Sequence, residues 1–208
     1  MRAAARVLLW GTSSGTSGEV GMTVELRKKL FTADEFERLA EVGILSEGDR
    51  VELIRGEIVW MTPIGSLHTG TVNRLNMLLA PLLVGRAVVA VQNPVRLDPY
   101  SEPQPDIAVL RYRPDAYGDA HPAPEDVLVL IEVADSSLRY DRKVKLPLYA
   151  EMGVAEVWIV DLAAREVEVH RDPEGNAYRS VRRVGPGERL PVGALADVEV
   201  AVAALLPG

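Results

Sequence analysis

The chain contains no cysteine. Disulfides, thiolate-bound zinc and a cysteine nucleophile are thereby excluded. Histidine is scarce as well. His68, His121 and His170 lie far apart and none falls in an H-E-x-x-H spacing, which argues against a zinc site. Basic charge is not in excess. The formal net charge is −7 at pH 7, so the broad cationic footprint of a dedicated DNA-binding module is missing. An enzyme with a local basic groove and an acidic active site remains compatible with that balance. No stretch approaches the ~18 apolar residues of a membrane helix. The opening "MRAAARVLLW" has a short apolar run broken by Arg6, with no clear small-residue cleavage site after it. A soluble, cytoplasmic protein without membrane contact is expected.

Enough apolar material is present for a core: 48 % of 208 residues are hydrophobic, which suits one globular domain. "GTSSGTSG", residues 11–18, reads as a flexible linker, so residues 1–22 are expected to be an extension and 23–208 a single domain. Within that linker Gly11-Thr12-Ser13-Ser14-Gly15 fits the G-x-S-x-G nucleophile elbow. That motif needs a strand before it and a helix after it, and no helical pattern follows.

Thr32 and Glu35 form a capping box for a helix whose apolar face is Phe36, Leu39 and Ala40. "RVELIRGEIVWM" reads as a hairpin turning at Arg55-Gly56. Residues 66–83 predict a longer helix with Val72, Leu75, Leu78, Leu79 and Leu82 on one side. "AVVAVQ", "PVRL", "DIAVLRY", "VLVLIEVA", "EVWIVDL", "EVEVHR" and "YRSVRRV" predict strands, and residues 139–152 a helix stopped by Gly153. The expected fold is α/β (α+β): a mixed central sheet flanked by helices.

"VLVLIEVADSS", residues 127–137, poses a specific problem. Its unbroken apolar run predicts a strand covered on both faces, yet Glu132 lies in it. An ionised carboxylate buried there costs several kcal/mol unless something pairs with it. A metal ion, a lysine or an arginine such as Arg111 would serve. Asp106 enters the strand "DIAVL" behind Pro105, and Glu52 lies on the first hairpin strand. Two carboxylates on neighbouring strands can hold a hard divalent cation, which polarises a phosphoryl oxygen and activates water. Lysine occurs only at 28, 29, 143 and 145, and Lys145 on the helix after Glu132 could position that water or stabilise developing charge. The plainer readings are a turn cap for Asp106, an ion pair for Glu132, a half-exposed strand residue for Glu52 and a solvated helix face for the lysines.

Together "VELIRGEIVWMTPIGSLH", "QPDIAVL", "IEVADSS" and "DRKVKLPLYAEMGVAEVWIVD" resemble the Uma2 family (DUF820) of restriction-endonuclease-like proteins, assigned to the PD-(D/E)xK superfamily. The resemblance runs from about Thr23 to Arg171. It implies that Pro105-Asp106 is the "PD" element, that Glu132 is the second acid, and that the metal is Mg²⁺ or Mn²⁺. The superfamily lysine expected two residues after Glu132 is Ala134 here, and the resemblance places it at Lys145 instead. Glu52 matches the family's early acid, which implies that it completes the metal site with Asp106 and Glu132, and His68 matches a family histidine on the helix after the hairpin, a candidate for an auxiliary role. Pro147, inside the expected helix, removes a hydrogen bond, so either the helix is kinked there or its first turn lies nearer Lys145.

The function expected is a metal-dependent endonuclease acting on DNA, with Arg139, Arg142 and Lys143 contacting phosphates. One alternative is a non-catalytic binding or assembly module on the same fold, favoured by the acidic charge and by Ala134. A small-molecule hydrolase using the same metal site is the third. A homo-oligomer fits a fold whose enzymes often act as symmetric pairs.

Overall fold

Eight consecutive buried residues, Val127–Ala134, form the strand β5 on which the fold is built. The structure, a computed structural model, describes residues 28–46 and 48–206. The linker and elbow readings at residues 11–18 lie outside the described residues. The elements run α1 (Ala33–Glu41), β1 (Val51–Ile54), β2 (Glu57–Trp60), α2 (Ser66–Leu83), β3 (Ala87–Val91), β4 (Ile107–Arg111) and β5. A helical stretch follows, made of α3 (Leu138–Tyr140), a π-helical turn (Asp141–Lys145) and α4 (Leu146–Glu151). Then come β6 (Glu156–Asp161), β7 (Glu166–Glu174), β8 (Ala177–Val184), β9 (Arg189–Val192), β10 (Leu195–Ala201) and α5 (Val202–Leu205).

Among the described residues, six strands form the main sheet in the order β3-β4-β5-β6-β7-β8. Only β5 and β6 run parallel, because the helical stretch 138–151 carries the chain across between them. The sheet is mixed, as expected. Side chains alternate along β5. Val129, Ile131 and Val133 face α2, α5 and the β9–β10 hairpin, whereas Leu130 faces Leu148 and Tyr149 of α4. Glu132 shares the face of Leu130 and so points at the helical stretch.

The Arg55-Gly56 hairpin forms with both residues at positive φ, 51° and 80°, as a two-residue turn between right-twisted strands requires. The Thr32–Glu35 capping box is present, although of α1 only Ala33 is fully buried and Phe36 and Leu39 are half-buried. α2 has the expected bounds, but its buried stripe ends on Leu83 and leaves Leu82 46 % exposed. "PVRL" is not a strand. Gln92 at φ 52° turns the chain out of the sheet and Pro94 has no N–H to donate, so Val95 and Leu97 are buried from a loop. The apolar C-terminal segment, whose sequence suits packing on the sheet or on a second subunit, supplies much of β10 and α5, and packs on its own sheet. Gly193 turns the β9–β10 hairpin so close to β5 that a Cβ there would lie 2.8 Å from the Leu128 carbonyl oxygen.

Candidate active site

Glu132 is 4 % exposed, and its partner is a lysine. Lys145 Nζ donates to Glu132 Oε1 at 3.2 Å and lies 3.1 Å from Glu52 Oε2. The Tyr149 hydroxyl donates to the same Glu132 oxygen at 2.6 Å. Arg111, the arginine considered for this pairing, is exposed and donates to the Glu125 carbonyl oxygen at 2.8 Å instead. Both oxygens of Glu52 are occupied: Tyr140 Oη donates to Oε1 at 3.2 Å and the Gln104 N–H to Oε2 at 3.1 Å. Glu52 thus anchors Lys145 from β1.

Asp106 immediately precedes β4. Ile107 pairs with Ile131 in antiparallel register, so the next step sets Asp106 opposite Glu132. Its Oδ2 takes the Val133 N–H at 2.8 Å and lies 2.9 Å from His68 Nε2, while Gln92 Nε2 donates to Oδ1 at 3.2 Å. His68 reaches it from the first turns of α2, and its Nδ1 is buried without a partner among the described residues. Burial pushes the Asp106 carboxyl up, but the hydrogen bond and charge of His68, with the Val133 and Gln92 donors, outweigh it and hold the group below its usual range.

Asp141, not singled out from the sequence, completes the cluster. It is 3 % exposed and accepts from Ser137 Oγ at 2.7 Å. Burial raises its carboxyl to about 6, against the Ser137 hydrogen bond and the Lys145 charge. Burial likewise pushes Glu132 up to about 8, with Lys145 pulling the other way and Asp141 and Asp106 adding to the rise. Burial alone would lower Lys145, but the surrounding Glu132, Glu52 and Asp141 hold it protonated, above the usual lysine range.

Four buried carboxylates therefore face one ammonium in a cleft of about 200 Å³. That surplus of negative charge, presented by oxygen donors, suits a hard divalent cation. Asp106 and Glu132 both line the cleft, and the Lys145 and Tyr149 hydrogen bonds to Glu132 fall on one of its oxygens. Glu52, Asp106 and Glu132 are nevertheless not drawn into one tight ligand set. Among the described residues, the acid and histidine group whose ligand atoms all lie within 4.8 Å of one another is Glu37, Glu102 and His121. Arg96 already pairs with Glu37 and Glu102 there.

The basic residues divide. Arg139 and Lys143 are exposed and have no ion-pair partner among the described residues. Arg142 instead ties the helical stretch to the sheet, donating to Glu168 at 3.0 and 2.8 Å and lying 3.4 Å from Asp161. Sequence reasoning also missed Tyr149, Tyr140, Gln92 and Gln104. The spacing of Asp141, Lys145 and Tyr149, four apart after a strand acid, was the available signal for two of the missed groups.

The sequence model of the Uma2 family, described as "Putative restriction endonuclease", matches residues 33–203. No protein of curated function matches the chain. Among solved structures it is similar to one described as "a putative nuclease belonging to DUF820", from Anabaena variabilis, at 18 % identity and a TM-score of 0.60. The match covers 84 % of this chain and 97 % of that one, and at this identity it shows a shared fold.

Proposed function

We propose a metal-dependent endonuclease function, hydrolysing DNA phosphodiester bonds, for this chain, which belongs to the Uma2 family. The observation that carries the reading is Lys145 held between Glu52 and Glu132 on the sheet face next to Asp106. Asp106 and Glu132 are the residues that would hold Mg²⁺ or Mn²⁺. Such a metal supplies Lewis-acid polarisation of a phosphoryl oxygen and a more acidic bound water.

The chain's own groups do the rest. His68, Gln92 and the Val133 N–H keep Asp106 ionised and fix its orientation. Lys145 stays protonated, and its ammonium orients the attacking water or meets the charge that develops on the phosphoryl oxygens. Glu52, Tyr140 and Gln104 hold that lysine in place. Arg139 and Lys143, exposed near the start of the same helical stretch, contact the phosphate backbone without regard to sequence. The test is Mg²⁺-stimulated cleavage of plasmid DNA. Asp106→Asn and Glu132→Gln each abolish it; full activity in both variants would remove the assignment.

A second reading rests on one observation. Lys145 and Tyr149 satisfy the inner oxygen of Glu132 without any metal, as a purely structural ion pair would. In that case the fold serves as a non-catalytic binding module. It predicts neither Mn²⁺ binding nor hydrolysis, and calorimetry with Mn²⁺ separates the two.

A further inference from the structure

At the mouth of the acidic cleft stands Trp60, the last residue of β2, with 69 % of its surface exposed. Single exposed apolar side chains are ordinary. This one has company that gives it a role. Ile64, 39 % exposed, follows it on the same rim. Arg50 lines the cleft beside it: its carbonyl oxygen accepts the Met61 N–H at 2.8 Å, and its guanidinium has no ion-pair partner among the described residues.

The rest of the lining decides what such a rim can bind. Five carboxylates, Glu52, Asp106, Glu132, Asp135 and Asp141, line the cleft against two cations, Arg50 and Lys145, and Lys145 is already committed to carboxylates. A duplex held by its backbone needs many phosphate contacts from Lys and Arg, and here the rim offers Arg50, with Arg139 and Lys143 on the neighbouring helical stretch. A single strand can be gripped differently, because an aromatic face stacks on any unpaired base and contributes affinity that needs no cation. The volume of about 200 Å³ also lies below the range of ordinary small-molecule pockets.

We propose that Trp60 is the stacking platform for an unpaired base next to the scissile phosphate, with Arg50 on that base's phosphate, and that the substrate is single-stranded or locally unwound DNA. The inference rests on the nuclease reading for the word scissile, but the binding mode can be tested apart from hydrolysis.

The experiment measures fluorescence anisotropy of a labelled oligothymidylate and of a duplex of equal length, with the full chain in EDTA. The single strand is expected to bind more tightly than the duplex. Trp60→Ala is expected to weaken single-strand binding roughly ten-fold and leave duplex binding unchanged. Trp60→Phe should restore most of the loss, which a merely structural role for the indole would not do. Equal affinity for the two probes, or an unaltered Trp60→Ala, overturns the proposal. A parallel Mg²⁺ cleavage assay keeps the two readings apart. Single-strand preference through Trp60 without hydrolysis keeps this inference and removes the nuclease; duplex cleavage indifferent to Trp60→Ala does the reverse.

Discussion

Replacing Lys145 by Met tests whether the ammonium is what permits two glutamates inside the fold. Met keeps much of the apolar stem and removes the charge. Lys145 is 5 % exposed, and Glu52 and Glu132 are 2 % and 4 % exposed, so the loss leaves both carboxyls largely out of bulk water. Removing one member of a buried ion pair typically destabilises by about 3–5 kcal/mol. For a chain of this size that is a fall in Tm of roughly 6–20 °C. The loss must depend on pH with a definite sign. Beside the ammonium the folded Glu132 carboxyl already keeps its proton up to about 8, while ~4.3 is ordinary in the unfolded chain; without the ammonium it keeps the proton to a still higher pH. Between ~4.3 and about 8 both folded chains hold the extra proton and lose stability alike as pH rises, so the deficit stays level; above about 8 only the variant goes on losing stability. Thermal unfolding followed by circular dichroism in EDTA should therefore show a larger deficit near pH ~9.5 than near pH ~6. The double variant Glu132→Gln/Lys145→Met should recover part of the deficit near pH ~9.5, since the glutamine amide is neutral and its oxygen can still accept from Tyr149. An equal deficit at both pH values, or one below about 1 kcal/mol, would refute the claim that charge burial governs this site.

Four further outcomes are expected. Mn²⁺ binding near pH 7 should release a proton, because burial holds Glu132 protonated up to about 8 and a ligand must be deprotonated; calorimetry in two buffers of different ionisation enthalpy reads this directly, and buffer-independent heats exclude Glu132 as a ligand. In the metal-free chain the same raised value makes the Glu132 contribution to stability fullest below pH ~4.3, lost as pH rises through about 8, so Glu132→Gln should flatten the Tm profile over that window. Gly193→Ala should lower the urea midpoint by an amount equal to about 1–3 kcal/mol without altering the slope, since its φ is +53° and the new Cβ would press within 2.8 Å of the Leu128 oxygen and of Val129 Cγ2; an unchanged midpoint would mean the hairpin can shift freely. Arg142→Met should speed hydrogen exchange along residues 138–151, because it removes the ties to Glu168 and Asp161; unchanged exchange with weakened DNA binding would return Arg142 to the role of a phosphate contact.

Much of this architecture was legible because its signals are local. The β5 run has no alternation, which only a strand covered on both faces tolerates, and it lies third in a sheet with helices on one side and helices with a hairpin on the other. The capping box at Thr32 and the Arg55-Gly56 turn are defined by residues a few positions apart. What was not legible depended on partners far along the chain. Arg142 reads as a free cation on a polar helix face until β6 and β7 bring Asp161 and Glu168 beneath it. Leu82 and Leu83 are equivalent in composition, and only the angle at which α2 meets the sheet chooses between them. The β9–β10 hairpin carries a weak strand pattern, with exposed residues on much of β10, and it is held by covering a sheet face whose need for cover the local sequence does not reveal.

The lysine is the clearest instance of the same division. Alternate residues of a strand share a face, so a lysine at position 134 would lie beside Glu132 and approach it along the strand, as the wider superfamily pattern has it. Ala134 is 1 % exposed, with Asp161 of β6 opposite it in register, so a long side chain there would have to displace packed neighbours. The ammonium arrives from above instead. Pro147 cannot donate a backbone hydrogen bond, and the turn before it widens: the Leu146 N–H reaches back five residues to the Asp141 carbonyl oxygen. Lys145 closes that π-helical turn and drops its side chain between Glu52 and Glu132. The proline that made the position of Lys145 hard to read from sequence sits directly after the widened turn that sets it. Thirteen residues along the chain separate Glu132 from the lysine, yet in space that ammonium lies between Glu132 and Glu52.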